Sequence, residues 1–269
     1  MNLPYLSFGV LVLGLSCAFG FLPPVEPIKE WPFLGGSVER NQSNPFEKNI
    51  PASWSIKKDA RKNVKWAAEM GTVSYGGPTI ADGKIFVGTN NYGLYRSTDG
   101  GATWSIAYNG GNKQVTDVVC LPSGRVMATM QSNLIVASDS NGKPGTFKTV
   151  TFPNAPNAGT YRTVQLDYCH KFPKVVFAVF EGFAFDAAPV AFYKSSDGGI
   201  TWKAKTAPTA AGPGYQAYCM VMGVHPTDSN RVVVGGRDIC RTSNGGTSWT
   251  PLDIGHSDHH SFAFLPKTT

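Results

Sequence analysis

The stretch "STDGGATW" at residues 97–104 returns almost unchanged as "SSDGGITW" at 195–202 and as "TSNGGTSW" at 242–249. A looser copy, "SDSNGKPGTF" at 138–147, keeps the glycines, the threonine and an aromatic residue, with two residues inserted. From one closing aromatic residue to the next, the steps are 43, 55 and 47 residues. A phrase repeated at this spacing predicts a repeat architecture.

The residues around each copy follow one order. A short apolar run, a turn, a β-branched run, a second turn and another apolar run precede the phrase, and a last short strand follows it. Four strands in about 45 residues are typical of a propeller blade. We therefore predict an all-β chain, a β-propeller of four-stranded antiparallel blades whose ring need not close. The expected blades lie near residues 72–108, 114–152, 162–206 and 216–254, with partial strands at 63–71 and 259–267.

The chemistry of the phrase suits a tight turn between the third and fourth strands of a blade. An aspartate side chain accepts backbone N–H bonds within a turn. The paired glycines supply backbone angles that other residues resist. The tryptophan buries a large face between blades, and its N–H requires a partner. Asn244 can replace the aspartate because it still offers a side-chain oxygen.

The pattern Ser-x-Asp-x-Gly-x-Thr-Trp resembles the Asp-box, or BNR repeat, of sialidase-like, sortilin-like and xyloglucanase-like propellers. The resemblance covers the chain from about residue 75 onward and implies a structural turn, on the face away from the ligand. The matching residues are Ser97, Asp99, Gly101, Thr103 and Trp104, then Ser195, Asp197, Gly199, Thr201 and Trp202, and, with conservative changes, Thr242, Asn244, Gly246, Ser248 and Trp249.

The N-terminal residues predict export. Residues 1–20 combine an apolar run with small residues before a cleavage point, and the run is too short to span a bilayer. Periplasmic location or lipid anchoring through Cys17 is the alternative, and we expect no transmembrane segment after cleavage. Residues 21–62 form an irregular, proline-rich arm before the propeller at 63–269. The sequence permits either two disulfides or four buried free thiols for Cys120, Cys169, Cys219 and Cys240.

Three N-terminal stretches are similar to the PQQ-type repeats of another propeller family. They are "WPFLGG", "NVKWAAEMG" and "SYGGPTIADGKIFVGTNN". The similarity stops near Asn91, and no calcium or quinone-binding constellation accompanies it. We therefore predict no cofactor.

A cluster of three histidines and one aspartate is the main candidate site. His256, Asp258, His259 and His260 lie on a loop that is expected to enter the innermost strand of a blade. The spacing H-x-D-x-H resembles a segment of BNR-type hydrolase-like proteins. Contact with a ligand or glycan, metal binding and a purely structural turn are the three interpretations. Further candidate ligand-binding residues are Arg162, Arg237 and Asp238, and we assign no metal.

Glycoside hydrolysis needs two carboxylates across the scissile bond. The candidates by position are Asp117, Asp167, Glu181, Asp186, Asp238 and Asp258. A sialidase would also need an arginine carried by a Phe/Tyr-Arg-Ile-Pro motif, which the sequence lacks. Aromatic residues near strand ends that either stack on sugars or pack in the core are Tyr92, Tyr161, Tyr215 and Tyr218.

The net charge of +6 is scattered, apart from a basic cluster between Lys57 and Lys65, and it does not predict nucleic-acid binding. We expect a secreted propeller that binds a glycan or an extracellular protein through its loop face. A BNR-type glycoside hydrolase and a non-catalytic fragment of a larger propeller are the alternatives. Open blade edges also predict self-association.

Overall fold

The computed structural model describes residues 52–57, 60–64, 67, 78–131, 134–157, 160–184, 186–214, 219–262 and 264. The predicted signal segment, most of the arm, and Tyr215 and Tyr218 lie outside these residues, as does about half of the PQQ-like similarity. Within the part of the chain that is described, no helix is long and apolar enough to cross a membrane.

Four antiparallel sheets of four strands each account for the described strands, and each sheet uses four consecutive strands. This confirms the predicted fold class.

Sheet 1 contains β1 (Thr79–Ala81), β2 (Lys84–Gly88), β3 (Leu94–Ser97) and β4 (Ser105–Tyr108). Sheet 2 contains β5 (Val115–Cys120), β6 (Val126–Met130), β7 (Leu134–Ser138) and β8 (Lys148–Thr149). Sheet 3 contains β9 (Tyr161–Cys169), β10 (Phe172–Gly182), β11 (Ala191–Ser195) and β12 (Lys203–Lys205). Sheet 4 contains β13 (Val221–Val224), β14 (Val232–Gly235), β15 (Ile239–Thr242) and β16 (Thr250–Leu252).

The core lies between successive sheets. The second strands are apolar on both faces, and every residue of β6 is buried. Such strands have a neighbouring sheet on each side. One cluster joins sheets 1 and 2 around Phe86, the next joins sheets 2 and 3 around Met127 and Phe180, and the last joins sheets 3 and 4 around Phe177 and Met222.

Two buried or half-buried carboxylates connect the first strands of neighbouring sheets. Asp117 of β5 accepts the amide of Leu166 on β9 at 2.7 Å. Asp167 of β9 accepts the amide of Val224 on β13 at 2.8 Å. The first strands therefore form the shared inner side of the stack, as blades around an axis require. Both aspartates lie inside strands and hold blades together, which corrects their assignment as loop carboxylates available for hydrolysis.

The connection between the third and fourth strands of each sheet is called here the repeated turn, and in sheets 1, 3 and 4 it is closed by one side-chain network. In the first copy, the Ser97 hydroxyl accepts the Gly101 amide at 2.9 Å and donates to Asp99 Oδ1 at 2.8 Å. Asp99 Oδ1 also accepts the Thr103 amide at 2.9 Å. The same three bonds measure 2.8, 2.7 and 2.9 Å in the copy of sheet 3 and 3.0, 2.8 and 3.0 Å in that of sheet 4.

The carboxylate and amide versions of this turn differ in one bond. Asp99 and Asp197 each accept a hydrogen bond from a threonine hydroxyl, whereas the Asn244 amide donates to Ser248 Oγ at 2.8 Å. The bonds from Thr103 and Ser97 lower the pKa of Asp99 to about 2. Burial raises the pKa of Asp197, but its hydrogen bonds outweigh burial and lower the pKa to about 2. Both turns therefore hold ionised carboxylates.

The looser second copy forms a similar turn from different residues. Asn141 takes the place of the first glycine and adopts a left-handed backbone with φ of 53°. The Ser138 hydroxyl lies 2.6 Å from that of Thr146 and accepts the Ser140 amide at 3.2 Å. Ser140 occupies the position that Asp99 holds in the first copy, so this copy has no carboxylate at that position.

The second glycine of the repeated turn packs closely against the preceding sheet. Gly246 has φ of +88°, and a Cβ added there would lie 2.5 Å from the ring of Phe192 on sheet 3. Gly142 of sheet 2 has φ of +64°, and its added Cβ would lie 2.4 Å from the ring of Phe86 on sheet 1. Glycine is needed here both for the backbone angle and for the close approach.

The three tryptophans of the repeated turns use their N–H groups differently. Trp104 donates to a carbonyl of its own turn at 2.9 Å, and Trp249 donates to Thr206 of the preceding sheet at 2.8 Å. Trp202 is 5% exposed and packs on Phe152 with ring centroids 4.7 Å apart, and its N–H has no protein partner among the described residues. The predicted need for a partner is therefore met in two copies.

The four described cysteines are buried free thiols, which decides between the two alternatives left open by their spacing. Burial raises the pKa of Cys240 to about 12. Of the predicted partial strands at 63–71 and 259–267, only residues 63, 64, 67, 259–262 and 264 are described, and none of these belongs to a strand. The rest of both segments lies outside the described residues.

Candidate functional site

The repeated turns occupy one end of the sheets, and the other end is called here the loop end. It carries the connections between second and third strands and the segments that enter each first strand. At sheets 3 and 4 these are the residues after β10, the segment 211–214, the turn 236–238 and the segment 256–262. All seven predicted ligand-binding residues lie on or beside these segments.

The turn between β14 and β15 is joined by backbone bonds to the segment that enters sheet 4. Arg237 donates its amide to the Pro213 carbonyl at 2.7 Å, and Asp238 donates to the Ala211 carbonyl at 2.9 Å. Gly236 also packs closely against the segment 211–214, because an added Cβ would lie 2.6 Å from the Pro213 carbonyl oxygen. The positions of Arg237 and Asp238 are therefore fixed by the main chain.

The His/Asp segment lies along the same turn. The Asp258 amide donates to the Arg237 carbonyl and the His259 amide to the Gly236 carbonyl, each at 3.0 Å. Asp258 has φ of 75°, an unfavourable angle for a residue other than glycine. These bonds bring Arg237, Asp238, Asp258 and His259 together, although about twenty residues separate the two segments in sequence.

The side chains at this place form polar pairs that solvent reaches. Arg237 donates through Nε and Nη2 to Asp238 Oδ2 at 3.2 and 3.0 Å. His260 Nε2 lies 3.2 Å from Asp258 Oδ1, and the rings of His256 and His259 lie 6.2 Å apart. Exposed pairs add little stability. The arrangement is therefore held by the backbone, and the polar side chains remain available for contacts.

Two phenylalanines fasten the His/Asp segment to sheet 4. The Phe262 ring would lie 2.8 Å from a Cβ added at Gly235, and both Phe262 and Phe264 lie close to Gly223. The Phe264 ring also meets the His225 ring edge-on, at 5.3 Å between centroids. The two glycines leave room for these rings on the sheet.

Two buried residues beneath the turn, Glu181 and Cys219, complete the site. Cys219 was not among the site residues predicted from the sequence. Glu181, a candidate carboxylate, is 1% exposed, and a Cβ added at Gly214 would lie 2.4 Å from its Oε1. Cys219 lies beside Asp258. Burial, a hydrogen bond to Asp258 and the charges of Asp258 and Glu181 raise the pKa of Cys219 to about 12. The sequence "GPG" at 212–214 was the available signal for this close packing.

The strand register places Arg162 near the same site. Tyr161 pairs with Gly182 and Val164 with Phe180 across β9 and β10, so Arg162 lies on β9 opposite the region of Glu181. It is half-buried.

The predicted aromatic residues divide between core and surface. Tyr161 is 5% exposed, with its ring 4.8 Å from that of Phe180, so of the two uses left open for it, core packing is the one observed. Tyr92 is 48% exposed on the β2–β3 connection. Phe183, which the sequence did not single out, is 53% exposed on the β10–β11 connection. Tyr92 and Phe183 therefore lie on the loop end.

The candidate carboxylates lie in three kinds of location. Asp117 and Asp167 connect blades, Asp186 is exposed on the β10–β11 connection, and Glu181, Asp238 and Asp258 belong to the loop end of sheets 3 and 4. Among the described residues, no group of three or more His, Cys, Asp or Glu side chains is placed to hold a metal ion.

No known protein-family model and no curated protein matches the chain. Among solved structures, the chain is similar to the GH74 xyloglucanase from Xanthomonas campestris, with 17% identity over 64% of this chain and a TM-score of 0.45. It is also similar to the GH74 enzyme of Niastella koreensis, with 20% identity over 63% and a TM-score of 0.48. YCF48 bound to D1 peptide has 16% identity over 66% and a TM-score of 0.39. The chain spans 27% of either GH74 enzyme and 54% of YCF48.

Proposed function

We propose that the chain is a secreted propeller of the Asp-box type that binds a glycan through the loop end of sheets 3 and 4. One observation carries the proposal. Backbone hydrogen bonds join the segments 211–214, 236–238 and 256–260, so that polar side chains from separate parts of the chain meet at one place. The repeated turns at the opposite end support the Asp-box assignment, and the apolar N-terminal run supports export.

The exposed chemistry suits a sugar. Carbohydrate hydroxyls donate and accept hydrogen bonds, and the Arg237–Asp238 and His260–Asp258 pairs offer both kinds of group. Phe183 supplies an exposed aromatic face on the same end of the molecule. A few placed polar groups beside aromatic surface are typical of ligand-binding sites.

Binding is favoured over hydrolysis because the carboxylates do not form an exposed facing pair. Asp117 and Asp167 accept backbone amides of neighbouring blades, and Glu181 is buried beneath Gly214. A glycoside hydrolase remains the second candidate. It is favoured by the buried Glu181 and the partly exposed Asp258, which both lie near Cys219, because two carboxyls in different environments can serve as acid and base.

A glycan array with the full chain tests the proposal. We expect Arg237→Ala and His260→Ala to weaken the binding of any captured glycan by at least about tenfold. The matched control is Arg231→Ala, which removes an exposed arginine that pairs with Asp228 at 3.1 Å on the opposite end of sheet 4. This control should bind like the parent chain.

Three results would count against the proposal. Capture of no glycan would remove it, and equal weakening by Arg231→Ala and Arg237→Ala would move binding away from the loop end. Release of shorter sugars from a bound oligosaccharide, lost in Glu181→Gln, would replace binding with hydrolysis.

A further inference from the structure

A short hairpin precedes sheet 1 in the sequence. Ser55 and Lys62 exchange both backbone hydrogen bonds, at 2.9 and 3.0 Å, as one antiparallel pair. The Ala60 amide donates to the Lys57 carbonyl at 3.0 Å and closes the turn. Residues 53–63 are called here the basic hairpin, of which residues 58 and 59 lie outside the described part.

Two large apolar side chains of the basic hairpin are exposed to water. Trp54 is 69% exposed and Ile56 is 62% exposed. Residues two apart on an extended strand point to the same side, so Trp54 and Ile56 share one side of the hairpin. A tryptophan and an isoleucine exposed together mark a surface that contacts another apolar phase.

Basic residues flank this apolar pair in the sequence. Lys57, Arg61 and Lys62 are exposed, whereas Lys58 and Lys65 lie outside the described residues. Residues 57–65 thus contain five basic residues and a single acid, Asp59. The charge of the hairpin complements an anionic surface.

We propose that the basic hairpin docks on a lipid bilayer that contains anionic headgroups. Tryptophan favours the interfacial layer of a bilayer, and lysine and arginine bind anionic headgroups while apolar neighbours insert. A soluble polyanion would satisfy the charges but leave Trp54 and Ile56 in water. The bilayer satisfies both observations at once, and the site is independent of the glycan-binding loop end.

Vesicle binding by the full chain tests the charge component. We compare vesicles of phosphatidylcholine alone with vesicles that also contain phosphatidylglycerol, and we measure the ratio of the two affinities. Every variant is prepared in the same form as the parent chain, so contributions from outside the hairpin are common to all of them. Lys57→Gln combined with Arg61→Gln should lower the affinity for anionic vesicles by roughly thirtyfold.

The apolar component has a matched control. Ile56→Ser should lower the affinity for anionic vesicles several-fold. Ile200→Ser removes an isoleucine of the same 62% exposure from a repeated turn and should leave that affinity within about twofold. Trp54→Phe should still bind, but it should lose the tryptophan quenching that brominated lipids cause in the parent chain.

Several outcomes overturn the proposal. Equal affinity for the two vesicle types would exclude an anionic-lipid site. Equal effects of Ile56→Ser and Ile200→Ser, or unchanged quenching in Trp54→Phe, would show that the hairpin does not insert. Binding to soluble heparin that Ile56→Ser leaves unchanged, without vesicle binding, would identify a polyanion site instead.

Discussion

At one end of the sheets the same side-chain hydrogen bonds recur in three of the four repeated turns, and at the other end the connections carry different side chains. Ser97, Ser195 and Thr242 each accept a glycine amide at 2.8 to 3.0 Å, in sheets that share little other sequence. At the loop end, Gln131, Phe183 and Arg237 each donate an amide to the segment that enters their own sheet, but the side-chain pair of Arg237 and Asp238 is described in sheet 4 alone.

The difference shows what each end must do. Every repeated turn has to close a hairpin and approach the preceding sheet, so one set of residues is used again. The loop end has no such common task, and its connections are free to carry different side chains. We therefore assign stability to the repeated turns and binding to the loop end, and each prediction below tests that division.

The largest expected effect on stability comes from the glycine that contacts the preceding sheet. Gly246→Ala adds a Cβ 2.5 Å from the Phe192 ring and requires an alanine at φ of +88°. Strain and overpacking together should lower the free energy of unfolding by about 3 kcal/mol or more. Chemical denaturation measures this change.

Gly100→Ala is the control, because it has φ of +70° and no atom within 4 Å of the added Cβ. Backbone strain alone should lower the free energy of unfolding by about 1 kcal/mol there. Equal losses in the two variants would mean that the turn does not pack on the preceding sheet.

The next largest effect is expected at the carboxylate that joins sheets 3 and 4. Asp167 is 6% exposed and accepts the amides of Tyr168 and Val224, each at 2.8 Å. Asp167→Ala leaves these amides without their acceptor and should lower the free energy of unfolding by about 2 to 3 kcal/mol. Asp253→Ala, which removes an exposed acceptor of the Gly255 amide, should change it by less than about 0.5 kcal/mol. Similar losses in both variants would contradict the bridging role.

The fold could be predicted from sequence because the repeated turn has strict local requirements. Ser97, Asp99 and Gly101 bond to one another within five residues, so the letters alone identify the corner. The looser second copy was also recognisable, since Asn141 tolerates the left-handed backbone that its glycine counterpart adopts.

The site was predictable only in part because its contacts are long-range. The histidine cluster drew attention by composition, but nothing local shows that Asp258 bonds to Arg237 or lies beside Cys219. Asp117 looked like any other carboxylate, and its partner, Leu166, lies 49 residues away. Such partners follow from blade stacking and cannot be read from spacing.

A moderate effect is expected from acid. The pKa values of Asp99 and Asp197 are lowered to about 2 in the folded chain, against about 3.9 in an unfolded one. The stability that they add is therefore fully present above about pH 4 and is lost as the pH falls toward about 2. Asp99→Asn combined with Asp197→Asn should flatten this decline in the free energy of unfolding, because the amides do not titrate. An unchanged pH profile would contradict the assignment.

The smallest effect on stability is expected at the loop end. Arg237→Ala and His260→Ala remove half-exposed members of polar surface pairs and should change the free energy of unfolding by less than about 0.5 kcal/mol. Their effect should instead appear in ligand binding. A loss in stability comparable to that of Gly246→Ala would mean that the loop end also holds the fold together.

Hydrogen exchange at single amides compares the two ends most directly. The amides of Gly101, Gly199 and Gly246 are buried and bonded to a hydroxyl of their own turn, whereas the Asp258 amide lies on a partly exposed segment. If the repeated turns hold the blades, the three glycine amides exchange only with global unfolding, and the Asp258 amide exchanges faster through local opening. Glycine amides that exchange as fast as that of Asp258 would contradict the structural role of the repeated turn.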